Sequence, residues 1–313
     1  MISRSDINDA AARIHGQARR TPLAEADAAD FAPAARVSFK LEQLQHTGSF
    51  KARGAFNRIV GAAQADRLTD AGVAIASGGN AGMAVAYAAA QYGTTAHVYL
   101  PETAPAVKVT KLNKLGANVV QVGRRYAEAH EAATAYAASS GALYCHAYDQ
   151  PEICAGQGTL GLELLEQTGG ELDTVLLAVG GGGLLAGVAA ASGPTARVVG
   201  VEPRTIPTLN TALAVGGPVD VEVSGVAADS LGATRIGDIA WDVANRVGVT
   251  SVLVDDEDIV AARVLLWEKY RLVVEHGTAS ALAALLAGAY RPEPGERLAV
   301  VLCGANTDIS DLG

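Results

Sequence analysis

Cysteine is scarce: Cys145, Cys154 and Cys303 are the only three in 313 residues. They are too few and too irregularly spaced for a disulfide framework or a zinc site, which points to a reducing compartment, most simply the cytoplasm. His15, His46, His97, His130 and His146 fall into no metal-ligand spacing, so no metal is expected. Positive charge is also short, with 24 Lys and Arg against 33 Asp and Glu and a formal net charge of -9. The cations are dispersed, which leaves no basic footprint for nucleic acid. Long uninterrupted apolar runs are missing too. The longest apolar tract, Val175 to Ala191, carries four consecutive glycines, which are costly in a membrane helix and read instead as strand, glycine turn and helix. The start, Met1-Ile2-Ser3-Arg4-Ser5-Asp6, lacks the basic start followed by an apolar run that a secretory signal requires. No nucleic-acid or membrane partner is expected.

What is present describes a folded chain. Half of it (50%) is hydrophobic and 18% is charged, and its length suits roughly two domains at about 100–200 residues each. Ile7, Ala10, Ala11 and Ile14 stand at helical spacing and predict a helix over Asp6 to Arg19, capped by Ser5 or Asp6 and stopped at Thr21-Pro22-Leu23. Val37 to Glu42 alternates like a half-buried strand, and a helix is expected from about Phe50 to Ala63. From Val73 to about His146, short apolar runs alternate with alanine-rich helical segments. The strands are Val73 to Ala76, Ala96 to Leu100, Val119 to Val122 and Leu143-Tyr144; the helices lie near Ala81 to Gln91, Pro105 to Leu115 and Arg125 to Ala138. That alternation predicts a parallel sheet with right-handed crossovers and a ligand at the strands' C-terminal ends. Residues 67–149 read as one small domain inserted in a larger one made of 1–66 plus 150–313. Beyond Pro151 we expect a helix at about Gly158 to Thr168 and a buried strand, Val175 to Val179, running into Gly180 to Gly183. Strands follow at Ala196 to Val201 and Ser251 to Val254, helices at Asp256 to Tyr270 and Ala279 to Ala289, and a last strand at Leu298 to Cys303. Pro203 to Val247 is the least regular stretch.

Four short motifs carry chemistry. Ser49-Phe50-Lys51-Ala52-Arg53-Gly54-Ala55 sets a lysine between an aromatic and small residues. There its amine can lose water and, when neutral, attack an aldehyde; the alternative is a solvated, ion-paired lysine. Gly180 to Gly183 lies where a strand ends and a helix begins, a place where backbone N–H groups and the helix dipole favour a phosphate; the alternative is a tight turn. It is no Walker motif, and Glu202 at the end of the next strand keeps a dinucleotide alternative open. Ser77-Gly78-Gly79-Asn80-Ala81-Gly82 follows a strand and opens a helix, as a carboxylate receptor or as an ordinary cap by Asn80 or Ser77. Cys303 closes the last strand, as a ring-facing thiol or an apolar filler. Glu275 and His276 sit in a turn before a helix, where an acidic cap is the simple reading.

The order of these motifs, from Arg20-Thr21-Pro22-Leu23 to Asn306, resembles the fold-type II pyridoxal-phosphate enzymes. The form of the lysine segment and of Gly79-Asn80-Ala81-Gly82-Met83 is similar to the serine/threonine dehydratase and serine racemase branch; related sulfhydrylases and synthases typically place an aspartate at Ala52. The resemblance implies an α/β fold like the β chain of tryptophan synthase. That fold has two open, mainly parallel twisted sheets flanked by helices, with a large and a small domain and the cofactor between them. It implies that Lys51 holds pyridoxal 5'-phosphate through a Schiff base, that Phe50 packs on its ring, that Asn80 bonds its phenolic oxygen, that Gly180, Gly181, Gly182 and Gly183 hold its phosphate and that Cys303 faces its ring nitrogen. Ser77, Gly78, Asn80 and Ala81 would bind the substrate carboxylate.

The implied activity is that of a lyase: β-elimination of water from an L-serine- or L-threonine-like amino acid to a 2-oxo acid and ammonia, with Lys51 as the base. A homodimer is implied by the same resemblance. Two departures bear on the alternatives, a racemase or a β-eliminating lyase for another side chain. Racemases carry a serine where this chain has Gly78, and glycine moves no proton. The segment Pro203 to Thr208 after Glu202 lacks the acidic residue of the racemases' divalent-metal site. No regulatory domain is expected. A nucleotide-binding protein without a covalent cofactor is the remote alternative.

Overall fold

The computed structural model of the chain describes residues 1–312, apart from the side chain of Asp30. In chain order its elements are α1 (Arg4–Arg13), β1 (Leu23–Glu25), β2 (Arg36–Lys40), α2 (Lys51–Gln64), β3 (Val73–Ala76), α3 (Asn80–Gln91), β4 (Ala96–Leu100), α4 (Ala106–Lys114), β5 (Asn118–Gln121), α5 (Tyr126–Ser140) and β6 (Leu143–Tyr144). They continue with α6 (Pro151–Gln167), β7 (Thr174–Ala178), α7 (Gly183–Ser192), β8 (Arg197–Pro203), α8 (Thr208–Val215), α9 (Ala228–Leu231), α10 (Asp238–Val247), β9 (Thr250–Val254), α11 (Asp256–Tyr270), α12 (His276–Leu286) and β10 (Arg297–Val301).

The strands form two open sheets, one of six strands in the order β1-β2-β10-β7-β8-β9 and one of four in the order β5-β4-β3-β6. Only the edge pair β1–β2 is antiparallel; the other pairings are parallel. Parallel strands need both faces covered, and alternating residues supply the two faces. Val175 and Leu177 of β7 pack with α1, α6, α7 and α10, while Leu176 joins the side of α11 and α12. In the four-stranded sheet Val73 and Ile75 meet α2 and α3, and Ala74 and Ala76 meet α5.

Several boundaries differ from the sequence expectation for identifiable reasons. α1 starts at Arg4 because Ser3, not Ser5 or Asp6, is the cap, closed by a reciprocal bond from Ser3 N to the Asp6 carboxylate at 2.8 Å. It ends at Arg13 rather than Arg19, ahead of Gly16 with φ +76°. Pro203 to Val247, unassigned in the sequence, holds α8, α9 and α10, of which α8 and α10 end on left-handed Gly216 and Gly248. α12 begins at His276, before Ala279, and β10 leaves its ladder at Val301, so Cys303 lies beyond the strand.

α6 begins at Pro151, two turns before Gly158, because its glycines serve packing rather than ending a helix. A Cβ on Gly158 would sit 2.7 Å from Gly187 O of α7, and one on Gly187 would sit 2.4 Å from Cys154 O of α6. Towards α2, a Cβ on Gly156 would lie 2.6 Å from Arg53 O, and one on Gly54 would lie 2.8 Å from Ile153 O. The three helices therefore touch backbone to backbone. A buried ionic lattice holds the same region: Arg53 binds Glu42 at 2.5 and 3.0 Å and Glu163 at 2.6 Å, and Lys40 binds Glu163 and Gln167, each at 2.9 Å.

Three substitutions, one of them a control, test this region in urea unfolding. Gly187→Ala is expected to destabilise by about 1–3 kcal/mol, as overpacking does. Gly217→Ala, whose Cβ would meet nothing within 4 Å, is expected to stay within about 0.5 kcal/mol of the parent. Arg53→Leu, which strands the buried Glu42 and Glu163 carboxylates, is expected to cost about 3–5 kcal/mol.

Candidate active site

Lys51 is the first residue of α2, with Phe50 at the cap position. The short segment before it pairs with the chain that leaves β10: Ser49 and Gly304 form an isolated antiparallel bridge, Phe50 N donates to Cys303 O at 3.0 Å, and Ala305 N donates to Gly48 O at 3.0 Å. Lys51 and Cys303, far apart in sequence, are thus tied through backbone. The Lys51 amine donates to Ala147 O at 2.7 Å and lies 4.9 Å from the Phe50 ring centroid. Lys51 keeps partial exposure as a residue, yet burial of its amine dominates and pushes it from 10.5 down to about 8; Cys154, Cys303 and Glu275 act in the opposite direction and lose. Burial also pushes the Cys303 thiol up to about 12, beside Thr278 Oγ1 at 3.2 Å, so it keeps its proton.

The Ser77 turn leads into α3 with Gly79 as the cap and no capping side chain, so neither Asn80 nor Ser77 fills the cap role. Gly82 is required there, since a Cβ would lie 1.8 Å from Ser77 O. The first helical bond runs from Met83 N to Gly79 O at 3.1 Å, leaving the N–H groups of Asn80, Ala81 and Gly82 ahead of it. The Asn80 side chain is held from both ends: Nδ2 donates to Glu275 Oε1 and Oε2 at 2.8 and 3.0 Å, and Oδ1 accepts from Asn306 Nδ2 at 2.7 Å. Glu275 stands at the cap position of α12 without capping it; its carboxylate instead takes Asn80 and, at 2.8 Å, Asn306 N. Burial raises its pKa, against the hydrogen bonds that lower it. Gly78, Gly79, Asn80, Glu275 and Asn306 line one cleft, along with Lys108, which pairs with Asp229. A larger cavity of about 460 Å³ lies elsewhere, at Arg204, Val252, Asp255 and Ala287, and contains none of the residues singled out above.

The tetraglycine turn opens α7, with Gly182 at the cap in the left-handed region (φ +81°) and the first helical bond from Ala186 N to Gly182 O at 2.8 Å. A Cβ on Gly181 would enter the Tyr148 ring at 2.3 Å, and one on Gly183 would lie 2.6 Å from Tyr148 O. Gly180 is less crowded, with Leu231 Cα at 3.2 Å. Since Lys51 binds Ala147 and the next residue lies on the turn, the His146–Tyr148 segment joins lysine and glycine loop.

The structure therefore links Phe50, Lys51 and Cys303 directly, the glycine turn to Lys51 through Ala147–Tyr148, and Asn80 to the Cys303–Asn306 segment through Glu275. Ser77, Gly78 and Ala81 lie on the same turn as Asn80. Sequence reading missed Ala147, Tyr148, Lys108, the part played by Glu275 and Asn306, and Gln157. Glu275 and Asn306 had been noted in the sequence without these roles, and Gln157 stands out there as a polar residue between Gly156 and Gly158. The donor set suits a ligand joining an aldehyde to a phosphate. A desolvated amine lies beside a turn where side chains do not fit, and two fully buried polar side chains in this region, Ser49 and Gln157, have atoms without a partner among the described residues.

Comparison with known proteins agrees with that chemistry. A family model described as pyridoxal-phosphate dependent enzyme matches residues 14–304. An L-threonine ammonia-lyase of Thermotoga maritima is 34% identical over 99% of this chain and 77% of its own length. A phenylserine dehydratase of Ralstonia pickettii is 36% identical over 95% of this chain and 91% of its own. The structure of maize serine racemase superimposes with a TM-score of 0.92 at 30% identity, covering 99% of this chain and 95% of that one. With a match across nearly its whole length, the chain belongs to the pyridoxal-phosphate dependent enzyme family.

Proposed function

We propose that the protein is a pyridoxal-phosphate-dependent ammonia-lyase that removes water from an L-serine- or L-threonine-like 3-hydroxy amino acid, giving a 2-oxo acid and ammonia. The observation that carries the reading is the Lys51 amine, pushed down to about 8 by burial, next to a glycine turn that excludes side chains. The relatives' names, an L-threonine ammonia-lyase and a phenylserine dehydratase, point to the same reaction class.

When bound, pyridoxal phosphate supplies a conjugated sink for the charge that develops at the substrate Cα. Gly180 to Gly183 and the N-terminus of α7 would hold its phosphate, with Phe50 against the ring, Asn80 at the phenolic oxygen and Cys303 at the ring nitrogen. Ser77, Gly78, Asn80 and Ala81, with the free N–H groups of α3, would receive the substrate carboxylate. Lys51 Nζ then takes the Cα proton, a role its desolvation favours. The Cα proton and the Cβ hydroxyl leave as water, and the unsaturated amine released exchanges its nitrogen for oxygen with a water molecule. A Cys303 thiol that keeps its proton would be only a weak donor to the ring nitrogen, which would favour prompt loss of the hydroxyl. A racemase is the second reading, favoured by the likeness to maize serine racemase; Gly78, with no group to carry a proton, supports elimination instead.

The same reading takes residues 1–66 with 150–313 as the large domain and 67–149 as the small one, each with its own sheet. It includes a homodimer, by family resemblance, and a cytoplasmic location, by the three free, buried cysteines. Among the described residues no helix is long and apolar enough to cross a membrane.

Three measurements test this reading. The rate at which apoprotein takes up pyridoxal phosphate is expected to rise with pH and level off above about 8, because the folded amine becomes neutral there. An unperturbed lysine would keep rising to about 10.4. Lys51→Ala is expected to abolish both the cofactor's absorbance band and turnover. In a 2-oxo-acid assay across serine, threonine, 3-hydroxyaspartate and phenylserine, at least one substrate is expected to turn over; silence on all four would remove the dehydratase reading and leave the cofactor in place.

A further inference from the structure

Gln157 lies at the centre of the seam that joins the two halves of the site. Its neighbours on α6 are spent on packing: Gly156 against Arg53 O of α2 and Gly158 against Gly187 O of α7. Its side chain runs between those two helices, with Cγ 3.3 Å from where a Cβ on Gly54 would sit and Oε1 2.8 Å from where a Cβ on Gly183 would sit. Gly54 is one turn past Lys51, and Gly183 is the first residue of α7. The side chain has 0% exposure, and both Nε2 and Oε1 lack a hydrogen-bond partner among the described residues. An amide left so is costly, and an apolar side chain of similar size would avoid the cost. A polar group kept without a partner at such a place calls for one, such as a bound water or ion.

We propose that the Gln157 carboxamide is a contact for the phosphate held at the glycine turn. This rests on the cofactor reading above. Backbone N–H groups alone give a helix N-terminus a general preference for anions; the Gln157 amide, whose oxygen and nitrogen exchange places by a half-turn of its end, adds its unpartnered Nε2 as a donor. It also couples the anion to the helix that carries Lys51, because the same side chain lies where a Cβ on Gly54 would meet it at 3.3 Å.

The test compares parent apoprotein with Gln157→Leu and Gln157→Glu, titrated with pyridoxal phosphate, with pyridoxal and with inorganic phosphate, reading absorbance and Tm. Gln157→Leu is expected to bind pyridoxal phosphate roughly 10- to 100-fold more weakly, the scale of one hydrogen bond to a charged group. It should hold pyridoxal as the parent does, lose the rise in Tm that inorganic phosphate gives, and melt, without ligand, no lower than the parent. Gln157→Glu keeps the shape and sets a negative charge against the phosphate, so the same selective loss is expected if the leucine variant does not fold. Equal losses for pyridoxal phosphate and pyridoxal, or unchanged binding of both, would overturn the proposal. So would a lower Tm without a phosphate-specific loss. A parent protein that is stabilised by inorganic phosphate but takes up no pyridoxal phosphate would sink the proposed function while leaving the Gln157 contact intact.

Discussion

The backbone-to-backbone contact of α6 with α2 and α7 is the constraint on which the site depends. Three glycines in α6 each give up about 1 kcal/mol of helix propensity relative to alanine. In return, α6 holds the two helix N-termini that carry chemistry at one fixed separation. A Cβ at Gly158 or Gly187 would approach a carbonyl of the facing helix within 2.7 Å, so the seam has no room to slide. The Arg53–Glu42–Glu163–Lys40 lattice, which joins Arg53 of α2 to Glu163 of α6, ties the same two helices through their side chains. Lys51 sits at the end of a clamped rod.

Desolvation then sets the chemistry on both sides of the cleft. Burial lowers the Lys51 pKa and raises those of Glu275 and Cys303. All three shifts favour neutral forms, yet each group is still directed: Lys51 to Ala147 O, Glu275 to Asn80 and Asn306, and Cys303 to Thr278. Because Glu275 occupies the Asn80 amide rather than capping its own helix, it orients the turn whose free N–H groups would meet a carboxylate. The two glycine turns are alike in kind: each ends a parallel strand, opens a helix and relies on glycine where a Cβ has no space.

Much of this was legible in the sequence because it is local. The Val73 to Ala76 strand and the Asp256–Tyr270 helix were read with their observed limits, since apolar period and turn residues define them within a few positions. The motifs around Lys51, Asn80, Gly180 and Cys303 were legible through their order along the chain. What escaped was nonlocal. Gly156 and Gly158 look like helix breakers until α2 and α7 are seen against them. Glu275 reads as a cap until Asn80, from the other sheet's helix, reaches it. Tyr148 carries no motif, and its place on Gly181 exists only once the chain has folded.

The central claim is that Lys51 is the one lysine built to bond the cofactor, and covalent mapping tests it most directly. Protein loaded with pyridoxal phosphate is reduced with borohydride, digested and analysed by mass spectrometry. The account predicts a phosphopyridoxyl group on the peptide containing Lys51 and on no other lysine. A label spread over surface lysines, or found elsewhere with Lys51 unmodified, would contradict it.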